Sequence, residues 1–305
     1  MATLPEPTLD SKQPSARDAQ SGLIVGLVCY LVWGFLPLLF HLLQDFGSVA
    51  IVANRTLWSL VFVGIILIVT RRFADIRTAL ADPRTLRSMV FSTSLLAVNW
   101  LVYVYAVESG QVLEGSFGYF INPLVNVAIG MLLLGERQNR WQTVSIVIAI
   151  IAIGVQAIGV GGVPIIALTL ALTFGFYGFF RKTAKVGSAS GLFVETLLLT
   201  PLALGYLAYL FATSGPGLHA DPYHLALLAL TGPATAVPLL LFAFAVQRLR
   251  LTTIGMLQYL APTIQFLLAI FVFHEEINAI RLISFALIWL SLAIYTADSI
   301  ARRRG

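Results

Sequence analysis

The sequence predicts an all-α integral membrane protein whose ten transmembrane helices form two inverted five-helix repeats. Three observations carry that prediction. Only 11% of the 305 residues are charged and 58% are hydrophobic, with a mean hydropathy of +0.89. Soluble domains carry about 25% charged residues, so too few remain here to dress a surface in water. The apolar residues also fall in ten runs close to the roughly 20 residues that cross a hydrocarbon core of about 30 Å. Finally, the two halves of the chain match at a nearly constant offset. Open strands would leave backbone groups unsatisfied in lipid, so the runs read as helices.

Residues 1–20 are polar, hold three prolines and balance two basic against three acidic side chains. They are predicted to be a disordered tail. The first apolar run, 22–43, is too long for a signal-peptide core and has no evident processing site, so it is expected to be retained as span 1. Spans 2 to 5 follow at 48–70, 87–107, 115–134 and 142–159. The GVGGV junction at 159–163 divides the first repeat, 21–159, from the second, 160–298. Spans 6 to 10 are 163–180, 190–211, 223–246, 252–273 and 279–297, and residues 299–305 form a basic tail.

Basic residues set the expected orientation. Lys12 and Arg17 precede span 1, and Arg71, Arg72, Arg77, Arg84 and Arg87 join spans 2 and 3. Arg137 and Arg140, then Arg181, Lys182 and Lys185, then Arg248 and Arg250, lie in the next loops on that side, with Arg302, Arg303 and Arg304 in the tail. Seventeen of the 19 Lys and Arg therefore fall on one side, leaving Arg55 and Arg281 near the starts of spans 2 and 10. Both termini are predicted to be cytoplasmic. The net charge of +5 needs no nucleic-acid partner to explain it.

The repeat is carried by particular residues. Trp33-Gly34-Phe35 matches Phe174-Gly175-Phe176 at offset 141, and Arg55-Thr56-Leu57 matches Glu195-Thr196-Leu197 at offset 140. Ala106-Val107 with Ala245-Val246, Pro123 with Pro262, Glu136 with Glu275, Asn139 with Asn278 and Ser145 with Ser284 all share offset 139. An odd number of helices per repeat inserts the second half upside down relative to the first. Secondary transporters use that arrangement to expose a mid-membrane site to each side in turn.

Asn122-Pro123 and Ala261-Pro262 stand at equivalent places near mid-membrane. Proline removes a backbone donor and frees a carbonyl one turn back, at about 3 kcal/mol in a helix interior. In lipid that is tolerable where the helix faces protein or a wet cavity. A kink used for packing alone is the plainer reading, but matched interrupted helices are a pointer to a transporter's substrate site.

Several stretches resemble the drug/metabolite transporter superfamily, in its EamA-type group and most closely its RarD subgroup. They include NWLVYVYAV (99–107), EGSFGYFINPLVNVAIGMLLLGER (114–137), PIIAL and FGFYGFFRK in span 6, and VPLLLFAFAVQRLRLTTIGMLQYLAPT (237–263). The likeness covers all ten spans and stops at the N-terminal tail. It implies a permease of the bacterial inner membrane. RarD-like proteins are usually described as chloramphenicol permeases, a label that does not by itself assign a substrate.

The candidate substrate-binding residues are polar or aromatic and mid-depth. They are Trp33 on span 1, Asn99, Trp100 and Tyr103 on span 3, Asn122 and Asn126 on span 4, and Gln258, Tyr259 and Gln265 on span 9. Polar side chains at this depth face protein or cavity rather than lipid. Asn99 and Tyr103, like Asn122 and Asn126, are four apart and share a helical face. The plainer reading is interhelical hydrogen bonding at about 0.6 kcal/mol each. As a cavity, the set suits a small amphiphilic or zwitterionic metabolite with an aromatic part.

Charges near the span ends suggest gates. Arg55 is expected to pair with Glu108 or Glu114 at the outer end, and Glu195 with a basic partner such as Arg248 at the inner end. Snorkelling to headgroups is the alternative, and Arg55 holding a substrate carboxylate is another.

Other classes are less well supported. The single cysteine, Cys29, allows no intrachain disulfide, and His41, His219, His224 and His274 are too scattered for a metal site. No phosphate loop, paired mid-membrane acids or cofactor motif is present, which argues against an ATP-driven pump or an intramembrane enzyme. A secondary carrier, an exporter of small organic metabolites or amphiphilic drugs, is the leading expectation. A non-transporting scaffold or sensor, and a flippase of a lipid-linked substrate, are the alternatives. The expected partners are a small-molecule substrate and membrane lipid. The Gly22-xxx-Gly26 step adds a weak hint of a homodimer.

Overall fold

A computed structural model describes residues 16–71, 73–134, 139–183, 186–215, 217–246, 248–249 and 257–301. Among these residues the chain is helical without a strand. The helices are α1 (Ala16–His41), α2 (Ser48–Val69), α3 (Phe73–Ala81), α4 (Pro83–Glu108), α5 (Val112–Leu134), α6 (Arg140–Val160), α7 (Ile165–Thr183), α8 (Ser188–Ser214), α9 (Pro222–Val246), α10 (Leu260–Phe271) and α11 (Ala279–Ala301). Single 3-10 turns at Gln44–Phe46 and Gly217–Ala220 join α1 to α2 and α8 to α9. Eight of the helices, among the described residues, are long and apolar enough to cross a membrane, while α7 and α10 are shorter apolar helices.

Several boundaries differ from the sequence reading. Helix α1 begins at Ala16, so residues 16–20 are helical rather than tail, and α11 runs on to Ala301. Residues 1–15 and 302–305 lie outside the described residues. Helix α4 starts four residues early because Asp82 caps it: its carboxylate accepts from the amides of Arg84 (3.3 Å) and Thr85 (3.1 Å), and Pro83 follows at the first helical position. Proline suits that position because its missing amide would be unpaired there anyway. The short α3 has too little apolar length to register as a span. Span 9 is not one rod: Gln258 and Tyr259 form a turn, and α10 starts at Leu260. Pro262 therefore sits in a first turn, where no intrahelical bond is lost.

Helix α5 is central, with 72% of its apolar window buried, whereas only 22% of that of α6 is covered. The outward faces carry large apolar side chains such as Ile24, Ile65, Ile150, Leu202 and Leu290, a surface suited to lipid. Helix α1 packs on α9 and α10, α7 on α4 and α5, α2 on α8 and α9, α6 on α11, and α5 on α10. The ends bearing Arg84, Arg140, Arg181 and Arg248 gather on one side, the basic face. Ser88 Oγ donates to the Phe180 carbonyl there at 3.1 Å.

Close approaches recur at equivalent places. A Cβ on Gly34 would stand 2.7 Å from the Ile264 side chain, and one on its counterpart Gly175 would stand 2.7 Å from Val125, the counterpart of Ile264. Asn139 caps α6 by accepting from the Gln142 amide (2.9 Å), and its amide group donates to Asp298 near the end of α11 (2.6 Å). Asn278 accepts from the Arg281 amide at the start of α11 (2.8 Å) and donates to the Gly159 carbonyl near the end of α6 (2.9 Å). The two asparagines make the same double contact at opposite ends of one antiparallel helix pair. Glu136 lies outside the described residues, so its match with Glu275 has no structural comparison.

The Gly22-xxx-Gly26 step is used within the chain. Added Cβ atoms would meet Arg248 and Leu257, each at 2.9 Å. The contact that suggested a homodimer is thus taken up by the chain's own residues.

Candidate functional site

Two polar clusters form around Arg55 and Glu195, the residues that the sequence comparison of the two halves pairs at offset 140. On the side away from the basic face, Arg55 of α2 is 5% exposed. Gly232 brings α9 against the Trp58 backbone of α2, since a Cβ there would stand 2.5 Å from the Trp58 carbonyl. That closeness lets Arg55 Nε donate to Thr235 Oγ1 at 2.7 Å. The guanidinium lies 4.1 Å from the Trp100 ring centre and 5.3 Å from that of Phe40. Tyr103 meets Phe40 edge-on at 6.0 Å and Tyr119 at 5.5 Å.

The expected outer gate is not formed. Glu108 accepts from the Ser48 hydroxyl, while Glu114 accepts from the Ile166 amide (3.0 Å) and the Ala167 amide (3.4 Å) at the start of α7. Glu275 does the same for α5, accepting from the amides of Val112 and Leu113, the latter at 2.9 Å. A helix N-terminus offers unpaired N–H groups and a positive dipole end, so it competes with a guanidinium for a carboxylate. Burial pushes the Glu275 carboxyl above its ordinary range, against the pull of those amides.

The basic-face cluster centres on Glu195 of α8, which is fully buried. It accepts from Ser92 Oγ of α4 (2.8 Å) and Tyr177 Oη of α7 (3.3 Å), and Arg181 Nε of α7 lies 3.6 Å away. Glu195 thus has a basic partner, but it is Arg181. Arg248, just beyond the end of α9, instead folds back over Phe244 of that helix, 3.5 Å from the ring centre, and donates to that residue's carbonyl at 3.2 Å.

Only part of the mid-depth set is drawn together. Asn99 donates to the Leu170 carbonyl (3.2 Å) and Thr173 Oγ1 (3.0 Å), and accepts a long bond from Tyr119 Oη (3.4 Å). Asn99, Trp100 and Tyr103 therefore join the Arg55 cluster through one face of α4. Gln265 donates to the Trp33 carbonyl at 3.1 Å, and Trp33 packs with Tyr30 and Phe242. Asn122 is buried, while Asn126 is exposed beside Gly175. Gln258 is half-buried, and Tyr259 bonds Thr296 of α11. Pro123 lies within unbroken α5, and Ser116 of that helix donates to the Pro262 carbonyl at 3.2 Å.

Four polar atoms in this region are buried without a partner: Arg55 Nη1, Tyr103 Oη, Asn122 Oδ1 and Gln265 Oε1. A cleft of about 900 Å³ lies on the face away from the basic one and is lined by Gln111, Glu114, Glu276 and Arg281 among others. Of the candidate binding and gating residues, only Glu114 borders it.

Sequence reasoning missed Phe40, Tyr119, Thr235, Tyr177 and Arg181. Tyr119 had a signal, being three residues before Asn122 and owner of the carbonyl that Pro123 frees. Thr235 and Arg181 had none, because each acts across a contact about 180 or 14 residues away in sequence.

A bundle of long apolar helices with lipid-facing sides and buried polar clusters defines a multi-pass membrane protein. The profile of the EamA-like transporter family matches twice, over residues 20–156 and 163–297. The chain is 42% identical to Protein RarD of Streptomyces exfoliatus over 295 residues, covering 94% of this chain and 92% of that one. It is 38% identical to Protein RarD of Escherichia coli over 290 residues, covering 95% and 98%. The Chloramphenicol-sensitive protein RarD of Pseudomonas aeruginosa is 27% identical over 287 residues, covering 93% and 96%. A solved crystal structure aligns with a TM-score of 0.60 at 19% identity, over 93% of this chain and 98% of its own, a likeness of fold. The chain belongs to the EamA-like transporter family.

Proposed function

We propose that this protein is a secondary carrier of ten spans, two inverted five-helix repeats over 21–159 and 160–298, with both termini in the cytoplasm of a bacterium. It exports small organic metabolites or amphiphilic drugs across the inner membrane by alternating access. The observation that carries the reading is the exchange of equivalent contacts between halves. Gly34 on Ile264 answers Gly175 on Val125, and the Asn139 double contact answers that of Asn278. Halves that pack alike can trade conformations at little cost, which is what alternating access requires.

In this reading the Glu195 cluster serves as the inner gate, and the Arg55 cluster, which lacks the acidic partner expected of an outer gate, lies toward the outer side. Chloramphenicol, in the name of the Pseudomonas aeruginosa relative, is an aromatic amphiphile of the kind an aromatic wall such as Trp100, Phe40 and Tyr103 would suit.

Orientation is tested on a Cys29→Ala background, which removes the sole thiol. Single cysteines at Ser109 and Gly215 are expected to react with a membrane-impermeant maleimide in intact cells. Those at Arg84 and Ala301 should react only after permeabilisation. The reverse pattern would overturn the orientation and with it the assignment of inner and outer gates.

A further inference from the structure

We infer that the Arg55 cluster is an anion-binding site and that its ligand is a small aromatic carboxylate. The inference rests on the carrier reading for its biological role, but the site itself is argued from chemistry.

The two repeat-equivalent clusters differ in one respect. Glu195 has its counter-charge built in: Arg181 lies 3.6 Å away, and Ser92 and Tyr177 donate to the same carboxylate. Arg55 has none. Among the described residues no carboxylate pairs with it; the nearby Glu108 and Glu114 are committed to Ser48 and to the start of α7. A buried cation without an anion is costly, and the rings of Trp100 and Phe40 offset only part of that cost. One guanidinium nitrogen, Nη1, is buried and unpartnered, as is the Tyr103 hydroxyl.

A carboxylate supplies what is missing. One oxygen accepts from Arg55 Nη1 and the other from Tyr103 Oη, the charge-assisted geometry that guanidinium groups favour. The carbon skeleton then lies among Trp100, Phe40 and Tyr119, which favours an aromatic or otherwise flat apolar body. The cluster contains no acidic side chain to pair an ammonium group. This separates simple organic acids from the zwitterions that composition alone allowed.

The test is thermal stabilisation of the purified full-length protein by benzoate and phenylacetate, set against benzamide, phenylacetamide and chloride at equal concentration. A ligand that binds the folded state raises its apparent stability by mass action. The two carboxylates are expected to raise the melting temperature, and the amides and chloride to leave it unchanged. Arg55→Gln should weaken carboxylate binding by roughly tenfold or more and Arg55→Lys by less, since a point charge keeps attraction but loses the planar fork. Tyr103→Phe keeps the charge and removes one donor; weakening of a few-fold is expected, and this variant decides the matter if Arg55→Gln does not fold. Stabilisation by amides or chloride equal to that by carboxylates would overturn the inference. So would no stabilisation by either acid, or binding indifferent to both Arg55→Gln and Tyr103→Phe.

The same preparations in proteoliposomes separate this inference from the carrier reading. Carboxylate binding without counterflow of labelled benzoate would keep the anion site and remove the carrier. Counterflow of labelled chloramphenicol together with no stabilisation by either carboxylate would keep the carrier and remove the anion site.

Discussion

Replacing Glu195 with alanine is expected to lower stability by about 3–5 kcal/mol, the usual cost of removing one partner from a buried ion pair. Glu195 is fully buried, and three groups from α4 and α7 converge on it. Its loss leaves the Arg181 guanidinium without an anion and the Tyr177 hydroxyl without its Glu195 acceptor, while Ser92 Oγ falls back on the Met89 carbonyl at 3.0 Å. The side chain of Arg181 is 15% exposed, so some relief by swinging toward headgroups is open to it. The double variant Glu195→Ala with Arg181→Ala should therefore recover part of the loss. Chemical unfolding in detergent, run as a double-mutant cycle, reads the coupling directly. If the two losses simply added, the Glu195 cluster would not be a unit and the proposal that it acts as a gate would fail.

Gly232→Ala is expected to cost at least the upper end of the roughly 1–3 kcal/mol typical of overpacking. The new Cβ would stand 2.5 Å from the carbonyl carbon and oxygen of Trp58. Those are backbone atoms inside α2, so no side chain can move aside and the two helices must part. Parting them also lengthens the 2.7 Å bond from Arg55 to Thr235. The control is Gly154→Ala, where a Cβ meets nothing within 4 Å; at a helix-interior glycine this is expected to stabilise by about 0.5–1 kcal/mol. Thermal unfolding of the two variants side by side checks both signs.

Much of the fold is legible because lipid leaves the chain few choices. The apolar runs, their lengths and the one-sided placement of arginines follow from solvent alone. Boundaries were less legible where capping outweighs hydropathy. Asp82-Pro83 starts α4 ahead of its apolar run, and the turn at Gln258 and Tyr259 interrupts what reads as continuous span 9. Of the polar residues matched between the halves, Asn139 and Asn278 each accept an amide at a helix start.

The candidate site was legible by depth and chemistry but not by partnership. Charge reasoning seeks the nearest opposite charge, yet Glu114 and Glu275 satisfy backbone amides at helix starts instead. Arg55 stands out in the sequence as a charge within an apolar run, but its neighbours Thr235 and Phe40 arrive from helices that only packing brings near.

The central claim is that two equivalent halves exchange conformations around a shared site. The pair Ser109 and Tyr223, at the ends of α4 and α9 away from the basic face, corresponds through the repeat to Arg248 and Arg84 on the basic face. Spin labels at each pair, in a Cys29→Ala background reconstituted in lipid, report both faces by pulsed dipolar distance measurement. The account predicts two distances for each pair, with the population that is long on one face matched by the population that is short on the other. A single distance on both faces, unmoved by benzoate, chloramphenicol or pH, would contradict it.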